Sequence, residues 1–179
     1  MAGAVPRDRL APDDPRALHA EPVSDLSIRD YRDGDAPILS NLYRRSVEGL
    51  GARAYSPEQI AVWAGLAPSA DRLTTLMADG RRRRVAELGG EIAGFADIEA
   101  DGHVHFLYAD PQTAGRGVGS ALLRDAEAIA RTTGATRLHA EASEVARPVF
   151  EKAGYRVVER RDFEVEGVAI HNWAVEKAL

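Results

Sequence analysis

The hydrophobic positions of this chain change period several times, and each change marks the start of a new element. Residues 26–31 alternate as a short strand does, whereas residues 35–50 repeat their apolar side chains at helical spacing. The sequence Ser56-Pro57-Glu58-Gln59 has the hydroxyl, proline and amide that open a helix, and residues 70–77 form another short helical stretch. This part of the chain is therefore predicted to be one strand followed by helices.

The middle of the chain predicts a three-stranded meander over residues 83–88, 91–99 and 103–109. The pairs Gly89-Gly90 and Asp101-Gly102 are typical hairpin turns between these strands. Because hairpins join antiparallel neighbours, this pattern differs from the repeated crossovers of a doubly wound nucleotide-binding sheet.

The last third alternates between the two periods. The predicted elements are a helix, a strand, a helix and two strands, at residues 118–133, 137–142, 145–153, 155–165 and 170–176. Taken with the meander, this order predicts a mixed α/β (α+β) domain whose sheet is mostly antiparallel and is flanked by helices.

The composition of the chain indicates where that domain begins and which partners and location to expect. Residues 1–25 contain four prolines and no periodic pattern, so we expect a flexible tail followed by a single domain at residues 26–179. A net charge of −5 disfavours a nucleic-acid partner, and the four arginines at 81–84 are interpreted as a solvated strand start. No apolar run could span a membrane and no secretory signal is evident, so a cytoplasmic location is expected.

Candidate chemistry lies in the segment from Asp110 to Ser120. Gly115, Gly117 and Gly119 allow close backbone approach of a ligand, and the helix that follows offers unpaired amides to an anion. A P-loop requires a lysine at the start of its helix, and this segment has none. Its glycine spacing also departs from the G-x-G-x-x-G fingerprint of dinucleotide-binding sites. A phosphate-binding turn of another kind is predicted.

Two blocks together resemble the GNAT superfamily of N-acetyltransferases. The first is Ala114-Gly115-Arg116-Gly117-Val118-Gly119 after Asp110-Pro111, and the second is the run from Ala146 to Tyr155. The first block departs from the family at Ala114, where Gln or Arg is usual. The resemblance covers residues 26–179 and implies that the two central strands, 103–109 and 137–142, splay apart.

The resemblance also implies acetyl-CoA as co-substrate and direct attack by an amine, without a metal. The expected acetyl-CoA-binding residues are Leu107, Tyr108, Ala109, Ala114, Gly115, Arg116, Gly117, Val118, Gly119, Ser120, Ser143 and Phe150.

One departure from the family concerns the general acid. Phe150 stands where many members have the tyrosine that protonates the leaving thiolate. The alternatives are a slower reaction without a general acid, a water molecule as the proton source, or another group, for which Tyr108 and Ser143 are the candidates. Tyr155 is expected to be a core residue.

The expected general base is His105, because its imidazole titrates near neutral pH. Strand alternation is expected to place His105 on the face of Leu107, and Asp97 and Glu99 on the neighbouring strand are the alternatives.

These observations predict an enzyme that acetylates the amine of a small molecule. The alternatives are a non-catalytic acyl-CoA-binding module, which Phe150 favours, and an N-acetyltransferase of proteins or peptides. The charge of −5 argues against an enzyme that acts on charged tRNA. Trp63 is interpreted as a core residue, and a sheet-edge homodimer is compatible with the fold.

Overall fold

The computed structural model describes residues 25–179, so the predicted tail lies almost wholly outside the described residues. In chain order the elements are β1 (Leu26–Asp30), α1 (Ala36–Ser46), α2 (Pro57–Gly65), α3 (Ala70–Leu76), β2 (Arg82–Leu88), β3 (Glu91–Ile98), β4 (Val104–Ala109), α4 (Val118–Thr133), β5 (Arg137–Ala142), α5 (Arg147–Lys152), β6 (Arg156–Val165) and β7 (Val168–Ala178). Within this part of the chain, no helix is both long enough and apolar enough to cross a membrane.

The strands form two antiparallel sheets that meet at one point. The first sheet has the order β1-β2-β3-β4, and the second has the order β5-β7-β6. A parallel bridge between His103 and His139 joins them, and the His139 amide donates to the Gly102 carbonyl at 3.1 Å. Beyond the bridge β4 and β5 diverge, as the family resemblance implied.

Two hydrophobic clusters hold the layers together. The amphipathic helix α4 buries Leu122, Leu123 and Ala126 with Ile98 and Leu138, which joins both sheets in one cluster. On the other side of the first sheet, helices α1 and α3 form the second cluster; its members include Leu39, Leu42, Leu73, Val85 and Phe95.

A β-bulge in β4 changes the predicted orientation of His105. Asp97 pairs with Phe106, but Ile98 pairs with Val104, so His105 is the extra residue. Val104 and Leu107 consequently belong to the first cluster, while Phe106 packs against the second. The prediction that His105 shares the face of Leu107 is wrong, because one extra residue inverts the alternation that follows it.

The run of four arginines is not a uniformly solvated strand start. Arg81 and Arg83 are buried, with relative exposures of 6% and 1%, whereas Arg82 is exposed. The reason is strand alternation: Arg83 lies directly opposite Asp97 on β3 and forms an ion pair with it. Arg84 faces the other side and pairs with Asp125 on α4.

The predicted helix over 35–50 is an α-helix only as far as Ser46. It continues as a π-helical segment, Val47–Gly51, before the chain turns into α2. A Cβ on Gly51 would lie 2.6 Å from Ile60 Cδ1, so a larger residue there would have to displace the end of the Ile60 side chain on α2. This segment forms one wall of the cavity described next.

Candidate active site

A cavity of about 400 Å³ lies where the glycine-rich turn meets the cleft between β4 and β5. Ten of the twelve predicted acetyl-CoA-binding residues line it: Leu107, Tyr108, Ala109, Ala114, Gly115, Gly117, Val118, Gly119, Ser120 and Ser143. Arg116 is exposed and does not line the cavity, and Phe150 lines a smaller neighbouring one.

The glycine-rich turn presents backbone amides to this cavity. Gly115 and Gly117 have positive φ angles of 79° and 82°, and open space lies where their Cβ atoms would be. Gly117 is the N-cap of α4, and no side chain caps that helix start. The first amides of a sixteen-residue helix are thus free for an anionic ligand.

Lys152 is a cavity residue that sequence reasoning missed. It lies at the end of α5, is exposed, and adds a positive charge to the lining of the cavity. The signal was its place in the second motif, two residues after Phe150. A lysine there favours an anionic ligand further.

The three residues predicted to be catalytic meet in a second, smaller cavity of about 50 Å³ between β4 and β5. His105, Tyr108 and Ser143 all line it, together with Phe150. Tyr108 and Ser143 line the large cavity too, so they lie where the two spaces adjoin. The Ser143 oxygen accepts a hydrogen bond from the Ala146 amide at 3.1 Å, which leaves its hydroxyl proton available.

The surroundings of Tyr108 keep it in its protonated form. Its ring packs against Tyr43 with centroids 4.2 Å apart and stacks on Phe95. The pKa of Tyr108 is raised well above its usual value, mainly by burial and secondly by the neighbouring Tyr43. The phenol therefore stays protonated at neutral pH.

His105 is neutral at pH 7 and partly open to solvent. Its side chain is 37% exposed, and its Nδ1 lies 3.6 Å from Glu99 Oε1. The pKa of His105 is lowered below 6.5, mainly by burial and secondly by the positive charge of Arg81. A neutral imidazole is the form that can accept a proton.

Of the two alternative bases, Asp97 is unsuited to the role. Both of its oxygens accept hydrogen bonds from Arg83 at 2.6 Å, and its side chain has no exposed surface. It lines neither cavity. Glu99 is more accessible, but its carboxylate contacts Arg81 and His103.

Phe150 is 2% exposed and meets Tyr155 edge to face at 5.0 Å. Tyr155 is also buried, as predicted, and its hydroxyl has no hydrogen-bond partner.

The large cavity is also lined by α2 and by the segment between α1 and α2. Val47, Leu50, Arg53 and Trp63 belong to this part of the lining. The expectation that Trp63 is only a core residue is corrected here, because its ring forms part of the cavity wall as well as contacting Tyr55.

A polar network beside Ser143 was not found from the sequence. Glu144 accepts hydrogen bonds from Trp173 Nε1 at 2.6 Å and from Arg147 at 2.5 Å, and it contacts His171 Nε2 at 3.1 Å. The Trp173 indole, then His171 and Arg147, lower the pKa of Glu144 to about 2.

Tyr55 ties the same network to the helical layer. Its hydroxyl accepts from the Glu144 amide at 2.8 Å and donates to the His171 carbonyl at 3.0 Å. These bonds fix the loop that carries Ser143 against both β7 and the segment before α2. The partners are far apart in sequence, so no local pattern indicates them.

Comparisons with known proteins agree with this architecture. The family model described as an acetyltransferase (GNAT) domain matches residues 51–177. The uncharacterized N-acetyltransferase YafP of Escherichia coli (strain K12) is 29% identical over 151 residues, which is 84% of this chain and 95% of that protein.

Two solved structures have the same fold. A GCN5-related N-acetyltransferase from Rhodopseudomonas palustris is 31% identical, with a TM-score of 0.79 over 86% of this chain and 95% of that one. The PaiA N-acetyltransferase of Thermoplasma acidophilum, solved in complex with coenzyme A, is 21% identical, with a TM-score of 0.69 over 86% and 99%. The predicted fold class is confirmed, and the chain belongs to the GNAT family of N-acetyltransferases.

Proposed function

We propose that this enzyme transfers the acetyl group of acetyl-CoA to the amine of a small-molecule acceptor. The observation that carries the proposal is the large cavity, whose lining includes the uncapped start of α4, the polar side chains of Tyr108 and Ser143, and the side chains of Trp63 and Arg53. One space thus brings together an anion site, apolar and aromatic side chains, and polar side chains.

The glycine-rich turn and Lys152 supply the positive potential that the diphosphate of acetyl-CoA requires. Leu107 and Ala109 lie on the edge of β4 that faces the cleft, where an extended ligand could pair with free backbone groups. The coenzyme A found in the PaiA structure supports this choice of donor, because the two proteins share the fold.

The proposed reaction is a direct acyl transfer. The acceptor nitrogen attacks the thioester carbonyl carbon, a tetrahedral intermediate forms, and the C–S bond breaks to release the coenzyme A thiolate. His105 would take the proton from the amine, directly or through water. Tyr108 or Ser143 would protonate the thiolate, since Phe150 has no proton to donate.

A small acceptor is favoured because Val47, Leu50 and Trp63 share one cavity of about 400 Å³ with the glycine-rich turn and Ser143, which limits the size of an acceptor that fits beside the donor. Arg53 in the same lining would attract an acceptor that also carries a negative charge.

The test is a thiol-release assay with acetyl-CoA and a panel of amines, peptides and lysine-rich proteins. Free thiol that appears in step with an acetylated small amine is the expected result. Thiol release with peptides alone would favour the protein N-acetyltransferase alternative. Tight binding of acetyl-CoA with no thiol release from any acceptor would favour the non-catalytic module.

A further inference from the structure

The hairpin between β3 and β4 brings one carboxylate and two imidazoles together. Glu99 Oε2 lies 3.1 Å from His103 Nδ1, and Glu99 Oε1 lies 3.6 Å from His105 Nδ1. One ligand atom from each residue can be chosen so that all three lie within 4.8 Å of one another. The hairpin itself is fixed, because the Glu99 amide donates to the His103 carbonyl at 2.9 Å.

The bulge in β4 makes this arrangement possible. His105 is the unpaired residue of the bulge, so its side chain turns toward Glu99 instead of following the strand pairing. The ring is 37% exposed and lines the small cavity, which leaves a path for an ion or a water molecule.

The surroundings of His103 resemble those of a metal-bound histidine. The Nδ1 atom of His103 faces Glu99, and its Nε2 atom lies 2.8 Å from Glu141 Oε2. A carboxylate behind the ligating imidazole fixes the ring and raises its basicity, as it does in many metal sites. The ring of His139 stacks on His103 at a centroid distance of 4.9 Å and limits its rotation further.

We propose that Glu99, His103 and His105 bind a divalent transition-metal ion of the Zn²⁺ type. Two imidazole nitrogens and one carboxylate oxygen form a common three-ligand set for Zn²⁺. Hard cations such as Mg²⁺ prefer oxygen ligands and are disfavoured by this set.

The charges nearby permit a cation. Arg81 donates to Glu99 Oε1 at 2.9 Å, and this is the contact that a bound metal would have to displace. Arg81 also pairs with Asp79 at 2.6 Å and with Asp97 at 3.3 Å, so it stays compensated without Glu99. The other nearby cations are Arg83, paired with Asp97, and Arg161, which contacts Glu141.

Metal binding would also displace a proton. The metal requires both imidazole rings in their neutral form, so protons and the metal compete for the same nitrogens. We therefore expect the affinity for the metal to increase with pH. If His105 is the base, as the proposed function holds, the metal and the acceptor's proton compete for that imidazole, and the loaded enzyme would be inhibited.

The experiment uses the full, untagged chain and Co²⁺ as a spectroscopic probe. We expect one equivalent of Co²⁺ to give the strong visible absorption of a low-coordinate site, and Zn²⁺ to abolish it by displacement. His103→Ala and His105→Ala should each lose the band, and Glu141→Gln should weaken binding about 10-fold or more. His171→Ala is the matched control that should keep it.

Circular dichroism of each variant shows whether it folds, and Glu99→Gln provides a substitution of nearly unchanged size. The proposal is overturned if the parent chain shows only the weak spectrum of aqueous Co²⁺. It is equally overturned if folded His105→Ala and Glu99→Gln bind Co²⁺ as the parent does. None of these readouts depends on turnover, so the proposed acetyl transfer could fail while the metal site stands.

Discussion

Arg83 on β2 and Asp97 on β3 face each other in a two-pronged ion pair with no contact with solvent. Nε and Nη2 of the arginine lie 2.6 Å from the two carboxylate oxygens, and Nη1 donates to the Leu73 carbonyl at 2.8 Å. The pair therefore connects the sheet to α3 beneath it. Burying two charges is tolerable because each has hydrogen-bond partners.

Removing one member of this pair should destabilise the fold. Arg83→Met would leave Asp97 with a buried charge that Arg81 compensates only in part, and we expect the free energy of unfolding to fall by about 3–5 kcal/mol. Urea denaturation measures it. Arg82→Met is the matched control, because Arg82 is exposed and pairs with Asp30 at the surface. Equal losses in the two variants would contradict the buried role of Arg83.

The glycine-rich turn can be tested with two alanine substitutions on α4. Gly117 and Gly134 cap opposite ends of the helix with φ angles of 82° and 79°, and a Cβ at either meets no atom within 4 Å. Each substitution should cost about 1–2 kcal/mol of stability. Only Gly117→Ala should weaken acetyl-CoA binding in calorimetry, by about 10-fold or more, a difference of about 1.4 kcal/mol. Equal affinities would remove the turn from the binding site.

Phe150→Tyr tests whether the enzyme has merely lost a general acid. The ring lines the small cavity that Ser143 also lines, which is where a para hydroxyl could be accommodated. We expect an unchanged melting temperature and a kcat that is equal or higher, by up to about 100-fold if the new hydroxyl donates a proton. Lower stability together with lower activity would mean that the hydroxyl is buried without a partner.

Tyr155→Phe is a useful companion. It removes a buried hydroxyl that has no partner, and it should raise stability by about 1 kcal/mol and leave kcat unchanged.

The role of His105 predicts a particular pH profile. The base acts when neutral, so kcat/KM should rise with pH through a limb at the pKa of His105, which burial and Arg81 hold below 6.5. His105→Ala and His105→Gln should both remove this limb and reduce the rate about 100-fold. The assay should contain a chelator, so that the imidazole stays free of metal.

An unaltered profile in both variants would make His105 structural. Glu99 or a chain of water molecules would then be the leading base.

Acid stability should depend on Glu144. Its pKa is about 2 in the folded protein and 4.5 for an ordinary glutamate, so its contribution is complete above 4.5 and is lost as the pH falls toward 2. Glu144→Gln should lower the melting temperature at pH 7, and it should make the melting temperature fall less steeply between pH 4.5 and pH 2. Glu164→Gln, on the exposed face of β6, should reproduce the parent's curve. Thermal melts between pH 2 and 7 measure both.

Elements with strong local signals could be predicted from sequence. The Ser56–Gln59 capping box forms as predicted, with both of its hydrogen bonds, and β5 begins and ends at the predicted residues. Signals of this kind depend on residues that are close together in the sequence, so they can be recognised without knowing the tertiary contacts.

Features that depend on pairing between distant segments could not be predicted. The bulge at His105 exists only in the register of β3 against β4, and the burial of Arg83 depends on Asp97 standing opposite. The glycine-rich turn was found because its residues are contiguous, whereas Lys152 and Trp63 join the same cavity from two other segments.

The two hydrogen bonds at the Tyr55 hydroxyl span 89 and 116 residues of sequence. Contacts this distant form only after the entropy of closing long loops has been overcome, so they belong to the late stages of folding. During synthesis, the loop that carries Ser143 cannot be fixed until His171 has left the ribosome. The helices and the first sheet can assemble earlier, and the enzyme would acquire its site as the final step of becoming native.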